Sequence, residues 1–176
     1  MTNDASTPDV AGLARRLAAA AAADRVAAAE LLARAGDAAA PAAVPLVTAC
    51  GDDDDQVREW AVAALEDLGA PPLQSLAALT GLVSSPHPLV AYWATTLVGR
   101  LGQDAASATT ALVTALESAP DPAVRERAAW ALGRIGPAAA AAHGPLERAA
   151  TNAAARGDQR LARLATEAVA AIGPPR

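Results

Sequence analysis

Three side chains in this sequence could act as a nucleophile or base near neutral pH: His87, His143 and the single cysteine, Cys50. His87 sits between Pro86 and Pro88 where a helix begins, and His143 follows a run of alanines. Catalysis by either would need a partner positioned within hydrogen-bond reach. A capping or solvated role needs none and is the simpler reading. Cys50 falls on the late turn of an apolar helix, where a buried thiol is inert. Asp52 to Asp55 is the densest run of charge, but it lacks the glycine and distal glutamate of a calcium loop. It reads as a solvated turn whose carboxylates cap a helix, with a weak cation site as the competing reading. The sequence contains no glycine-rich phosphate loop and no metal-ligand spacing. The expectation is no catalytic residue, no metal and no cofactor.

The chemistry of recognition is better represented. Trp60, Tyr92, Trp93 and Trp130 are the whole aromatic content. Around them fall Glu59, Glu66, Asp67, Thr96, Arg100, Glu126, Arg127 and Arg134. Exposed aromatics mixed with arginine are typical of interaction hot spots. The competing reading is that each Trp fills space beside small alanines where helices meet.

Internal repetition organises these residues. Gly36, Gly69, Gly102, Gly136 and Gly173 each close an apolar block and follow one another at intervals of 33 to 37 residues. Twelve residues before each stand Asp24, Val57, Val90, Val124 and Leu161. Four further on, every block has Ala: Ala28, Ala61, Ala94, Ala128 and Ala165. Eight past the start are Leu32, Leu65, Val98, Leu132 and Val169. Offsets of about 0, 4, 8 and 11 lie on one side of a helix with 3.6 residues per turn, so each block is a helix with one buried stripe. The constant Ala marks a close helix approach, and the Gly suits a C′ position that needs positive φ. Asp54, Asp121 and Asp158 are placed as N-caps, His87 takes the equivalent slot, and Pro88 and Pro122 follow at the first helical position. Trp60 and Trp93 are three residues into their blocks and Trp130 six, on one flank of their helices.

Pro8–Ala22, Ala42–Cys50, Leu73–Val83, Ala105–Leu116 and Leu146–Ala155 are further apolar runs of helical length. The chain thus reads as all-α, with about five antiparallel helix pairs over approximately 8–36, 37–69, 70–102, 103–136 and 137–173 in a single domain, after a disordered tail over 1–7.

Asp121-Pro122-Ala123-Val124-Arg125 with Ala128, Ala131-Leu132-Gly133 and Ile135-Gly136 resembles the signature of HEAT repeats, closest to the short type of bilin-lyase-like proteins. Asp55-Gln56-Val57-Arg58 with Ala61, Ala64-Leu65 and Leu68-Gly69 is a second good copy. The other three blocks are degenerate copies. Arg58 and Arg125 follow the first core position and Arg25 aligns with them, but Ala91 and Ala162 replace it elsewhere, which interrupts any Asp–Arg ladder between repeats. The resemblance implies a right-handed α-α superhelix, a HEAT-like solenoid whose second helices line a concave face. On that face it places a partner-binding set of Trp60, Tyr92, Trp93, Arg100, Glu126, Arg127, Trp130 and Arg134. The function it implies is a non-enzymatic scaffold for a partner peptide or protein. A bilin lyase-like enzyme and a HEAT-like DNA glycosylase are the alternatives.

Bulk properties narrow these. Net charge is -5, and all 14 cationic side chains are Arg. An acidic chain is poorly suited to gathering phosphates, so nucleic acid is not the expected partner. Roughly a third of the residues are Ala, which favours close-packed helices and suggests a GC-rich, bacterial genome. One cysteine permits no internal disulfide and fits a cytoplasmic setting. Arg15-Arg16 before Leu17–Ala23 has a faint likeness to a twin-arginine export signal, although an ordinary amphipathic helix explains it as well. No run approaches the roughly 20 apolar residues of a membrane span.

Overall fold

The computed structural model describes residues 9–174. The tail expected over 1–7 lies outside them. The chain divides into two compact units, Met1–Gly69 and Ala70–Arg176. All regular structure among the described residues is helical.

The first unit contains α1 (Val10–Arg16), α2 (Ala22–Ala35), α3 (Ala43–Ala49) and α4 (Asp55–Asp67). The second contains α5 (Leu76–Leu82), α6 (Pro88–Arg100), α7 (Thr109–Ser118), α8 (Pro122–Ile135), α9 (His143–Arg156) and α10 (Gln159–Ile172). The even-numbered helices are the repeat blocks. In the first unit α2 packs on α4, and in the second α6 packs on α8 and α8 on α10. The five alanines four residues into the blocks have no exposed surface. Their methyl groups let neighbouring backbones approach, and the apolar stripe beside them forms the core. Leu32, Leu65 and Leu132 are wholly buried, each stabilising the fold by about 1.5–3 kcal/mol through burial. Val169 is only half-buried, because α10 is the last helix of the described chain.

Punctuation follows the sequence closely. Asp54, Asp121 and Asp158 accept backbone N–H bonds from the first turns of α4, α8 and α10. His87 occupies the N-cap position of α6 without a side-chain cap bond, so the capping role open to it is not filled. Instead its amide donates to Ser85 Oγ. All five block-closing glycines have positive φ, between 54° and 79°, a region that costs other residues strain.

The first helices of the first four pairs are shorter than their apolar runs, whereas α9 extends beyond its run at both ends. A 3-10 segment leads into four of the five first helices, over Gly36–Ala42, Leu73–Ser75, Gly102–Ala108 and Gly136–Ala142. Ala39 and Ala42, Ala105 and Ala108, Ala139 and Ala142 are wholly buried pairs three residues apart. In the segments before α7 and α9 the chain kinks at Ala105 and Ala139, the first alanine of each pair. The helix expected over Pro8–Ala22 stops at Arg16, and Leu17–Ala21 form the turn before α2.

That turn shows what the repeated arginine does. Arg25 Nη1 donates to the carbonyls of Ala19 and Ala20. Arg58 Nη1 donates to the Asp52 carbonyl at 2.6 Å, and Arg125 Nη1 to those of Ala119 and Pro120 at 2.6 and 3.1 Å. In each case the guanidinium reaches back six residues and ties down the turn between the helices of its own pair. Arg25 alone also grips an aspartate of the following repeat, Asp52, through two bonds. Asp52 is therefore part of a clamp and not of a solvated turn: its side chain is 12% exposed.

Candidate recognition face

In the second unit the sequence-selected residues assemble around Arg127. One helical turn separates Arg127 from Trp130 on α8, a spacing that puts both on one face. Tyr92 projects from α6, the helix against which α8 packs. The Arg127 guanidinium carbon lies 4.8 Å from the Tyr92 ring centre and 5.1 Å from that of Trp130. Its Nη2 also donates to Tyr92 Oη. Stacking of a guanidinium on an aromatic ring contributes about 0.5–1 kcal/mol at exposed sites and more when desolvated. A side chain held by two rings and a hydrogen bond has already lost its rotamer freedom, so a ligand that meets it does not bear that cost.

The other expected residues divide. Trp93 is buried, 7% exposed, with Tyr92 packed edge-on at 5.5 Å and Arg100 over its ring at 5.8 Å. The exposed aromatic expected there is not found: Trp93 is a core residue that supports Tyr92. Thr96, expected on the exposed rim, is buried as well and bonds the Tyr92 carbonyl. Trp130 combines both readings. A Cβ placed on Gly99 would come 2.4 Å from its Cζ3, so the indole lies directly on the α6 backbone, yet the residue remains half-exposed. Trp60 is half-buried on α4 of the first unit. Burial, reinforced by the like charge of Arg127, holds the Arg100 pKa below its ordinary value.

Sequence reasoning missed the contribution of α10. Arg160 pairs with Glu126 at 3.0 Å, and Arg163 with Glu167 at 2.9 Å. With Leu164 they bound a cavity of about 200 Å³ against Tyr92, Arg127 and Trp130. A second hollow of about 140 Å³ lies between Trp130, Gly133, Arg134 and Leu164. The signal was available: Arg163 and Leu164 stand two and three residues into the fifth block, as Glu126 and Arg127 stand in the fourth. Carrying that register one repeat further would have found them. Arg127 and Arg134 have no carboxylate within ion-pair distance among the described residues.

The residues that first suggested catalysis do not converge. Cys50 is buried, and desolvation pushes its thiol pKa up to about 12. His143 Nδ1 is 3.5 Å from Glu147, an i,i+4 pair on one helix with no nucleophile. Nowhere among the described residues do three or more His, Cys, Asp or Glu side chains gather as a metal site. None of the described helices is long and apolar enough to cross a membrane.

The model of HEAT repeats matches residues 75–169, more than half of the chain. The chain belongs to the HEAT-repeat family. No curated protein matches its sequence. Among solved structures, an engineered protein is 23% identical with a TM-score of 0.63, over 94% of this chain and 79% of that one. A designed armadillo repeat protein in complex with the peptide (KR)4 is 19% identical with a TM-score of 0.64, over 93% of this chain and 82% of that one. At these identities the likeness is one of fold. HEAT and armadillo repeats are typically protein-interaction scaffolds and typically non-enzymatic.

Proposed function

We propose that this HEAT-repeat protein is a non-enzymatic scaffold that captures an acidic segment of a partner protein on the α6–α8–α10 face. The observation that carries the reading is the fixed position of Arg127 between Tyr92 and Trp130. The rings supply apolar area and the guanidinium a forked donor for a carboxylate. Charge on the face supports the same choice. Glu126 and Glu167 are each taken by an arginine of α10, which leaves Arg127 and Arg134 as cations without a carboxylate. The contact set is Tyr92, Arg127, Trp130 and Arg134, extended by Arg160, Arg163 and Leu164, with Trp93 and Arg100 as support. Trp60, half-buried on α4 of the first unit, is proposed as a contact of that unit by itself and not as part of this face.

Selection of displayed random peptides on the full chain tests this. Enriched sequences should carry Asp or Glu beside an apolar or aromatic residue, and Arg127→Glu should lose them. Enrichment of basic sequences, or equal recovery by Arg127→Glu, overturns the proposal.

A further inference from the structure

The position after the first core residue is Arg25, Arg58, Ala91, Arg125 and Ala162 in the five repeats. Each arginine reaches back six residues to a turn carbonyl, and Arg25 spans from Ala19 and Ala20 to Asp52, five residues ahead of the next repeat's first core position. The same register in the third repeat sets Ala91 against Ser85, Pro86 and Ala119. A cavity of about 300 Å³ opens there, and all four of these residues line it. It lies at the register where three other repeats hold an arginine.

Its walls have the matching chemistry. Thr80, Ser84, Thr114 and Ser118 line the cavity, and each gives its hydroxyl proton to a backbone carbonyl three or four residues before it. They therefore offer lone pairs and no donors. The carbonyls of Ser85 and Pro86 receive no backbone hydrogen bond. Asp121 also lines the cavity, with one carboxylate oxygen taken by the Ala123 amide and no cation paired to it among the described residues. The remaining wall is aliphatic, supplied by Val83, Ala111, Ala115 and Val124. Acceptors that outnumber the one uncommitted hydroxyl proton, that of Ser85, beside a negative charge and an apolar wall, suit a cationic fork on an aliphatic stem.

We propose that this cavity binds the arginine side chain of another polypeptide, seated where the chain's own arginine sits in three other repeats. The site is built from α5, α7, the first turns of α6 and α8 and the turns that precede them. It shares no residue with the aromatic face, so it stands or falls independently of that reading.

The test is titration of the isotope-labelled full chain with acetyl-Gly-Arg-Gly-amide, followed by amide shifts. A control peptide carries citrulline, which has the shape of arginine without its charge. Saturable shifts are expected at Ser85, Ala91 and Ala119, with the citrulline peptide weaker by about tenfold or more. Ala91→Arg, which supplies its own guanidinium, should abolish binding. Asp121→Asn keeps a good helix cap while removing the charge, and should weaken binding several-fold in a chain that still folds. No shifts at millimolar peptide, equal binding of the citrulline peptide, or unchanged affinity in Asp121→Asn would each overturn the proposal.

Discussion

The carboxylate of Asp52 accepts two hydrogen bonds from the guanidinium of Arg25, at 2.7 and 2.8 Å, and so joins the start of α2 to the turn that precedes α4. The bidentate bond to Arg25 holds the Asp52 carboxyl below its usual pKa; partial burial opposes this and the Asp54 amide adds to it. The pair is among the few ionic contacts of the chain that water barely reaches, with side chains 17% and 12% exposed.

A lowered folded-state pKa makes this clamp pH-dependent. Its contribution is complete above the unfolded carboxyl value of about 3.9 and is lost as pH falls through the lower folded value. Asp52→Asn should therefore melt below the parent chain at neutral pH, and the two midpoints should converge in acid. Thermal unfolding across pH measures this, and a constant gap at all pH values would contradict it.

Leu132 sits on the core stripe of α8 and is wholly buried. Leu132→Ala should lower stability by about 2–5 kcal/mol, through lost transfer energy and the cavity left behind. Urea unfolding would reveal an error in the core register if the midpoint did not move.

Gly99 is a glycine because α8 comes too close for anything larger. An added Cβ would fall 2.4 Å from Trp130 Cζ3 and 3.0 Å from Ala131 Cα. Gly99→Ala should thus cost about 1–3 kcal/mol by overpacking, although alanine is the better helix former. A gain in stability would mean that α6 and α8 are farther apart than described.

Trp130 is half-exposed, with one part of its ring on Gly99 and another beneath Arg127. Trp130→Ala should lose about 1–3 kcal/mol of stability, below the range for a fully buried large side chain. Its affinity for the selected acidic peptides should fall by about 2 kcal/mol or more. Full peptide affinity in a folded Trp130→Ala chain would remove the indole from the site.

The Cys50 thiol, buried and pushed up to about 12, is protonated at neutral pH. It should resist thiol-specific reagents in the native chain and react once denaturant unfolds it. Rapid modification without denaturant would show that α3 opens locally.

Periodicity alone placed the second helix of each pair, most of its buried stripe and its closing glycine. A repeating Ala at one offset, an Asp three residues before the stripe and a Gly after it are local signals, and each specifies a torsion or a cap without help from distant residues. Tertiary structure decided what local signals leave open. Trp60 and Trp93 share an offset, yet Trp60 is only half-buried while Trp93 is buried, because exposure depends on which side chains the neighbouring helix supplies. The kinks at Ala105 and Ala139 before α7 and α9 bring wholly buried alanines into the core, which periodicity did not mark. Asp52 read as one of four similar carboxylates until Arg25, 27 residues away, was found to reach it. The cavity beside Ala91 escaped notice for the same reason: a missing side chain leaves no mark in a sequence until the surrounding helices enclose the space it would have filled.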